Sequence, residues 1–182
     1  MTDSPGTKAR PAGPPVIVWV AEGTWQASID AARQLAPAGA EIALLHITPQ
    51  EVPGAAHGAY AGLLGRGHPE RDPGSRVEEL ATASAAELLN AAARRLARPC
   101  TRTQRHGRAE REVTAAAEGA GLLIVARDGD RTRGGPKSLG PASRFVIDHA
   151  PCPVLLVWPG PPPAGGLPPA PPRPPRHQPG RR

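Results

Sequence analysis

The sequence predicts an α/β domain: a parallel sheet of five strands with helices packed on both faces. Two observations carry that expectation. Four short apolar runs, "VIVWVA", "EIALLHIT", "LLIVA" and "CPVLLVW", read as strands buried on both faces, with "CTRTQRH" a weakly alternating fifth. Between them lie segments whose apolar residues recur every three to four positions, and alternating strands and helices build parallel, doubly covered sheets. The length of 182 residues with 39% hydrophobic content suits one core rather than two.

Taken in order, residues 1–14 are polar, rich in Pro and Gly and without period, so they read as a disordered leader. Val16 to Ala21 forms the first strand. Thr24 is placed to cap a helix in which Trp25, Ile29, Ala32 and Leu35 or Ala36 recur at helical spacing, before Pro37 and Gly39 end it. Glu41 to Thr48 is the second strand. The stretch from about Pro49 to Gly74 has no clear period, is long for a compact domain, and reads as a loop over the strand ends. Ser75 and Glu78 then give an S-x-x-E capping box, opening a helix with Val77, Leu80, Ser84, Leu88, Ala92 and Leu96 along one stripe.

Cys100 to His106 is read as an edge strand with polar side chains facing water. "AEREVTAAAEG" is a short helix ended by Gly119, and Leu122 to Ala126 the fourth strand. The last pair is a helix from Pro141, a good first helical residue, through His149, followed by the strand Cys152 to Trp158. Residues 160–182 form a Pro/Arg-rich tail of polyproline II character; it contains P-x-x-P-x-R at Pro171, Pro174 and Arg176, a pattern read by some aromatic grooves. The structured domain is thus expected over 15–159.

Composition removes several function classes. The net charge of +6 is concentrated in the tails, where Lys8, Arg10, Arg173, Arg176, Arg181 and Arg182 face only Asp3. Residues 15–158 carry 16 basic and 15 acidic side chains, so no dedicated nucleic-acid surface is expected. No run approaches the ~18 apolar residues of a membrane span and no signal-peptide pattern opens the chain, so a cytoplasmic protein without membrane contact is expected. Cys100 and Cys152 form no CxxC and read as small packed hydrophobes at strand starts. His57 and His68 lack the neighbours of a metal site. His46 reads as a packed, hydrogen-bonded ring and His149 as a helix-end cation. There is no nucleophile elbow, P-loop or pair of catalytic carboxylates.

Ligands of such sheets bind beyond the carboxyl ends of the strands, where the strand order switches. Here those ends are "AEGT" at 21–24, "HITP" at 46–49 and "ARDGD" at 126–130. With "LLIVARDGD", "SLGPASRFVIDHA" and "PCPVLLVW" in that order, and "ALLHITP" and "RHGRAEREV" upstream, residues 15–159 resemble the universal stress protein family. The resemblance implies a three-layer Rossmann-like fold with strand order 3-2-1-4-5 and a homodimer through the last strand, Cys152 to Trp158. Some members of that family bind ATP and others do not.

The positions the resemblance assigns to a nucleotide are Ala21, Glu22, Gly23, Ile47, Ala126, Arg127, Gly129, Gly140, Pro141, Ala142 and Ser143. Several depart from the family pattern. Ala21 stands where ATP-binding members carry an Asp, with Glu22 one place late, and Ala126 replaces the first Gly of G-x-x-G while Gly129 is kept. Ten residues rather than nine separate Gly129 from Gly140. Pro141 replaces a Ser or Thr and supplies neither hydroxyl nor N–H to the phosphate-binding helix start. Ser143 and a locally basic stretch, Arg127, Arg131, Arg133, Lys137 and Arg144, remain as anion contacts or as solvated charges.

The expected function is therefore a non-catalytic stress-response or regulatory protein acting by dimerisation and contacts with a protein partner, with no cofactor beyond ATP at low affinity. An ATP-binding regulatory switch and a slow nucleotide hydrolase are the alternatives.

Overall fold

The computed structural model describes residues 13–49, 73–132 and 134–163. The leader 1–12, most of the long loop with His57 and His68, and the tail from 164 with its P-x-x-P-x-R motif lie outside the described residues.

Strands β1 (Val16–Trp19), β2 (Ile42–Thr48), β3 (Thr101–His106), β4 (Leu122–Ala126) and β5 (Val154–Val157) form one parallel sheet in the order β3-β2-β1-β4-β5. Helices α1 (Trp25–Leu35), α2 (Pro73–Leu96), α3 (Ala109–Ala116) and α4 (Pro141–His149) connect them. The five strands and four helices expected from the apolar runs are all present. Alternate strand residues feed two cores. Val16, Val18, Ile42, Leu44 and Ile124 pack with α1 and α2 on one face. Ile17, Trp19, Leu45, Leu123 and Val125 pack with α3 and α4 on the other. This two-sided burial explains why β1, β2 and β4 read as unbroken apolar runs. Edge strand β3 leaves Thr101, Arg102 and His106 exposed and the three residues between them half-buried, so its polar side chains face water without the strict alternation of a two-faced strand.

Three local expectations are corrected. Helix α2 begins at Pro73, two residues before Ser75, so Ser75 lies inside the first turn rather than at the N-cap. The proline takes the first helical position, where a missing N–H costs nothing. The buried ridge of α2 is Ala85, Leu89, Ala92 and Leu96, while Leu80 is 66% exposed and Ser84 is exposed too. The reason is length. Twenty-four helical residues rise about 36 Å against about 23 Å for the seven residues of β2, so the N-terminal third of α2 projects past the strand ends with no sheet to pack on. Thr24 precedes α1 as expected but makes no side-chain cap; its hydroxyl donates back to the Ala21 carbonyl at 3.4 Å.

The far end of α1 is closed by Arg98, which donates to the carbonyls of Ala36 (3.0 Å) and Pro37 (2.8 Å) and so serves the unpaired acceptors of that terminus. Arg95 forks onto Asp30 at 2.9 and 2.6 Å, tying α1 to α2. That fork holds the Asp30 carboxyl below the usual carboxylate range, against a smaller opposing effect of desolvation. Cys100 directly precedes β3, whereas β5 starts at Val154, two residues after Cys152, because Pro153 has no N–H to give the ladder; both thiols are half-buried, and burial raises them. His149 stacks on Phe145 with ring centroids 4.1 Å apart, its Nδ1 2.9 Å from the Phe145 carbonyl.

Candidate functional site

The carboxyl ends of β1, β2, β4 and β5 present two structures side by side, separated at the β1/β4 switch point. One is a cavity and the other a closed turn.

The cavity, of about 420 Å³, lies over the ends of β1 and β2. Trp19, Ala21 and Ile47 form its floor, the projecting part of α2 supplies Val77 and Ala81, and Glu22 stands at its rim. The sheet positions His46 here through an internal bond: its Nδ1 lies 2.8 Å from the Val20 carbonyl oxygen, and the residue is 8% exposed. A carbonyl can only accept, so Nδ1 carries the hydrogen, and in the neutral ring Nε2 is the acceptor. His46 is thus the packed, hydrogen-bonded ring that its position in an apolar run predicts. Thr48, also on the wall, accepts from the Gln104 side chain at 3.1 Å.

The turn runs from Ala126 to the first residues of α4. Gly129 N–H donates to the Ser138 carbonyl (3.0 Å) and Asp130 N–H to the Lys137 carbonyl (2.8 Å), so the two limbs zip together. A Cβ built on Gly129 would lie 2.5 Å from the Lys137 oxygen and 2.7 Å from the Ser138 carbonyl carbon. Gly129 is required by close backbone approach, not by an unusual φ. At the end of the turn, Gly140 N–H donates to Asp128 Oδ1 at 2.7 Å, and the carboxylate lies over the Gly140 Cα, with Oδ2 2.8 Å from where a Cβ would stand. A carboxylate thus occupies the positive end of α4, where an anionic ligand would place an oxygen. Pro141 follows as the first helical residue and has no N–H. Ser143 is buried at 1% exposure.

The arginines expected to make this stretch an anion surface are largely engaged within the fold. Arg127 donates to the Ser138 hydroxyl and lies 4.6 Å over the Trp158 ring. Arg144 donates to the Pro136 carbonyl at 2.5 Å, and Arg131 reaches across the switch point to the Gly23 carbonyl at 3.1 Å. Each thus commits one guanidinium donor to the protein's own carbonyls or hydroxyls.

The sequence-predicted positions therefore divide. Ala21, Glu22 and Ile47 line the cavity, while Ala126, Arg127, Gly129, Gly140, Pro141, Ala142 and Ser143 belong to the turn and its helix. Gly23, at φ +74°, lies between them and receives the Arg131 bridge. Sequence reasoning missed Asp128 as a site residue, because its partner is twelve positions away and only the fold brings them together. It also missed Val77 and Ala81, whose role follows from the overhang of α2. Among the described residues no cluster of three metal-ligating side chains forms, and no helix is long and apolar enough to cross a membrane.

Residues 22–157 match the universal stress protein family. No curated protein matches the sequence. Among solved structures, the hypothetical protein MJ0577 superposes with a TM-score of 0.59 at 15% identity, covering 79% of this chain and 95% of its own. A universal stress protein in complex with cAMP gives 0.53 at 18% identity, with 82% and 100% covered. The universal stress protein UspA from Lactobacillus plantarum gives 0.53 at 18%, with 80% and 99% covered.

Proposed function

The chain belongs to the universal stress protein family, and within it we propose that this protein is a non-catalytic stress-response or regulatory protein that acts through self-association and contacts with a protein partner, with ATP binding weak or lost. The observation that carries this reading is the contact between Gly140 N–H and Asp128. An incoming phosphate would have to displace a carboxylate already hydrogen-bonded there and would find no donor at the next residue, Pro141. Ala21 in place of a carboxylate at the end of β1, and the Arg131–Gly23 bridge across the switch point, support the same conclusion. A cytoplasmic location accompanies the proposal.

Self-association is supported by β5. All four residues Val154 to Val157 are only half-buried, and β5 pairs with β4 on one side only, leaving its outer side an open sheet edge. Pairing of two β5 strands about a two-fold axis would satisfy the backbone groups of that edge and cover Leu156. The second reading, a nucleotide-responsive switch, is favoured by one observation: a structural neighbour is a universal stress protein in complex with cAMP. Calorimetric titration with ATP and with cAMP at low ionic strength separates the two. The proposal expects no saturation tighter than ~10⁻⁴ M, whereas micromolar binding of either nucleotide, or ATP carried through purification, overturns it in favour of the switch.

A further inference from the structure

We propose that the open edge of β3 is a docking site for an extended acidic segment of a partner protein, which adds to the sheet as a further strand and sets its carboxylates against Arg102 and His106. The inference gives the partner contact of the proposed function a place and a chemistry, and rests on that reading for its biological use alone. Neither the nucleotide positions nor β5 takes part in it.

The backbone supplies the first argument. Among the described residues β3 pairs with β2 alone, at one end of the sheet. Gly107 N–H donates to the Thr48 carbonyl at 3.1 Å, and successive residues of a strand turn their backbone groups to opposite sides. Thr101, Thr103 and Arg105 therefore serve β2, while the N–H and C=O of Arg102, Gln104 and His106 face away from it, a row on which another strand can form. The side chains decide which strand. Those of Arg102, Gln104 and His106 share the α2 face of the sheet, where Arg102 donates to Asn90 Oδ1 at 2.5 Å, a neutral partner, and exposed Arg94 follows Asn90 by about one helical turn. The opposite face is already neutralised, with Arg105 3.6 Å from Glu112 and Arg108 2.7 Å from Glu110. The surplus charge of the edge is thus positive and lies on the α2 face. Two β3 edges meeting would set like charges against each other, whereas the apolar β5 suits a second copy. The tail 164–182 does not fit either, since it carries Arg173, Arg176, Arg181 and Arg182 with no acidic residue, and its prolines lack the N–H a ladder needs. The complement is a strand with Asp or Glu at every second position, reaching Arg102 and His106 about 13 Å apart, and β-branched residues between them against Thr101 and Thr103.

The test titrates the isotope-labelled full chain, followed by NMR, with a capped peptide alternating Glu and Val over about seven residues. Its controls are the Lys–Val counterpart, a fully N-methylated Glu–Val peptide that keeps the charge but has no backbone donor, and an oligothymidylate of equal charge. The Glu–Val peptide is expected to bind at ~10⁻⁴ M in low salt. It should shift the amides of Arg102, Gln104 and His106 and slow their hydrogen exchange, and the affinity should fall in about 0.5 M salt. The N-methylated peptide should bind at least about tenfold more weakly, having lost more than one net hydrogen bond, and the Lys–Val peptide should leave those amides unmoved. Arg102→Glu should weaken the Glu–Val peptide about three- to tenfold, while Arg102→Lys keeps most of the affinity. No saturation by about 5 mM peptide, equal binding of either control peptide, an affinity unchanged in Arg102→Glu, or tighter binding of the oligonucleotide at these residues each overturns the proposal. Micromolar ATP binding would refute the loss of ATP binding without touching these results, and a failure of the acidic peptide would leave that loss and the β5 pairing to their own tests.

Discussion

Replacing Asp128 by Ala should make the protein less stable and better at holding an anion, two effects of opposite sign from one side chain. The bond from Gly140 N–H at 2.7 Å is charge-assisted. Shielded, such a bond contributes about 1.5–3 kcal/mol. Asp128 is solvent-exposed, so screening lowers this toward the ~1 kcal/mol typical of removing a helix-capping side chain, of which the positive end of α4 supplies a few tenths. A loss of about 1 kcal/mol corresponds to roughly 2–4 °C in Tm for a domain of this size.

Whatever Asp128 contributes to the folded state, an anion using the same N–H must first give up, so its removal should tighten inorganic phosphate and ATP by about fivefold. Asp128→Asn, which keeps an acceptor without the charge, should fall between wild type and Ala on both scales. Urea unfolding followed by circular dichroism reads the first effect and calorimetry the second, each at low salt and again in about 1 M salt, where both should shrink. Unchanged stability would mean that the contact is not held in solution. Lost stability without any gain in anion affinity would mean that the start of α4 is no anion subsite even when vacated, and that the turn has lost its ligand for reasons of shape.

Four further outcomes follow from the same structure. Gly129→Ala should cost about 2–4 kcal/mol in urea unfolding, because its Cβ would collide with the Lys137–Ser138 backbone and part the two limbs of the turn; a change within about 0.5 kcal/mol would refute that packing. Leu156→Lys should yield monomer or aggregate in sedimentation at micromolar concentration, while removal of residues 160–182 leaves the dimer; a wild-type monomer would rule the β5 interface out. Asp30 has a depressed folded pKa, so its contribution is complete above the unfolded value near ~3.9 and is lost as pH falls through the lower folded value; Asp30→Asn should flatten that part of the acid-unfolding curve, and an unaltered curve would show that the Arg95 fork is not made. Cys100 and Cys152 precede opposite edge strands, four spacings of ~4.8 Å apart, so both should titrate as free thiols and react more slowly folded than unfolded at pH 8; an intrachain disulfide would contradict the strand order.

How much of this was legible in the sequence depended on the range of the interaction involved. Strands buried on both faces leave an unambiguous record, and β1, β2 and β4 appear within two residues of their expected ends. Helix α4 begins and ends where Pro141 and His149 imply. The stripe on α2 misled because periodicity alone does not say how far a sheet extends beneath a helix: Leu80 fits the spacing but lies beyond the strand ends. The capping box failed for a related reason, since Pro73 starts the helix earlier and leaves Ser75 at an internal helical position. His46, by contrast, was readable, because a polar ring in an apolar strand must find a partner nearby, and the neighbouring strand offers the Val20 carbonyl.

The site shows where such reading stops. Its residues were found one by one from a resemblance, but their division into a cavity and a closed turn depends on contacts separated by 12 and 108 positions, Asp128 to Gly140 and Arg131 to Gly23. Neither follows from composition or period. Together they change the meaning of residues that were identified correctly: Gly129 and Gly140 keep their places, yet what they hold is the protein's own chain. A start of α4 already occupied by its own carboxylate no longer constrains what binds next door. Because the turn satisfies itself with its own carboxylate and backbone, the cavity over β1 and β2 stands apart from it, walled by side chains of β1, β2 and α2 that the turn does not touch.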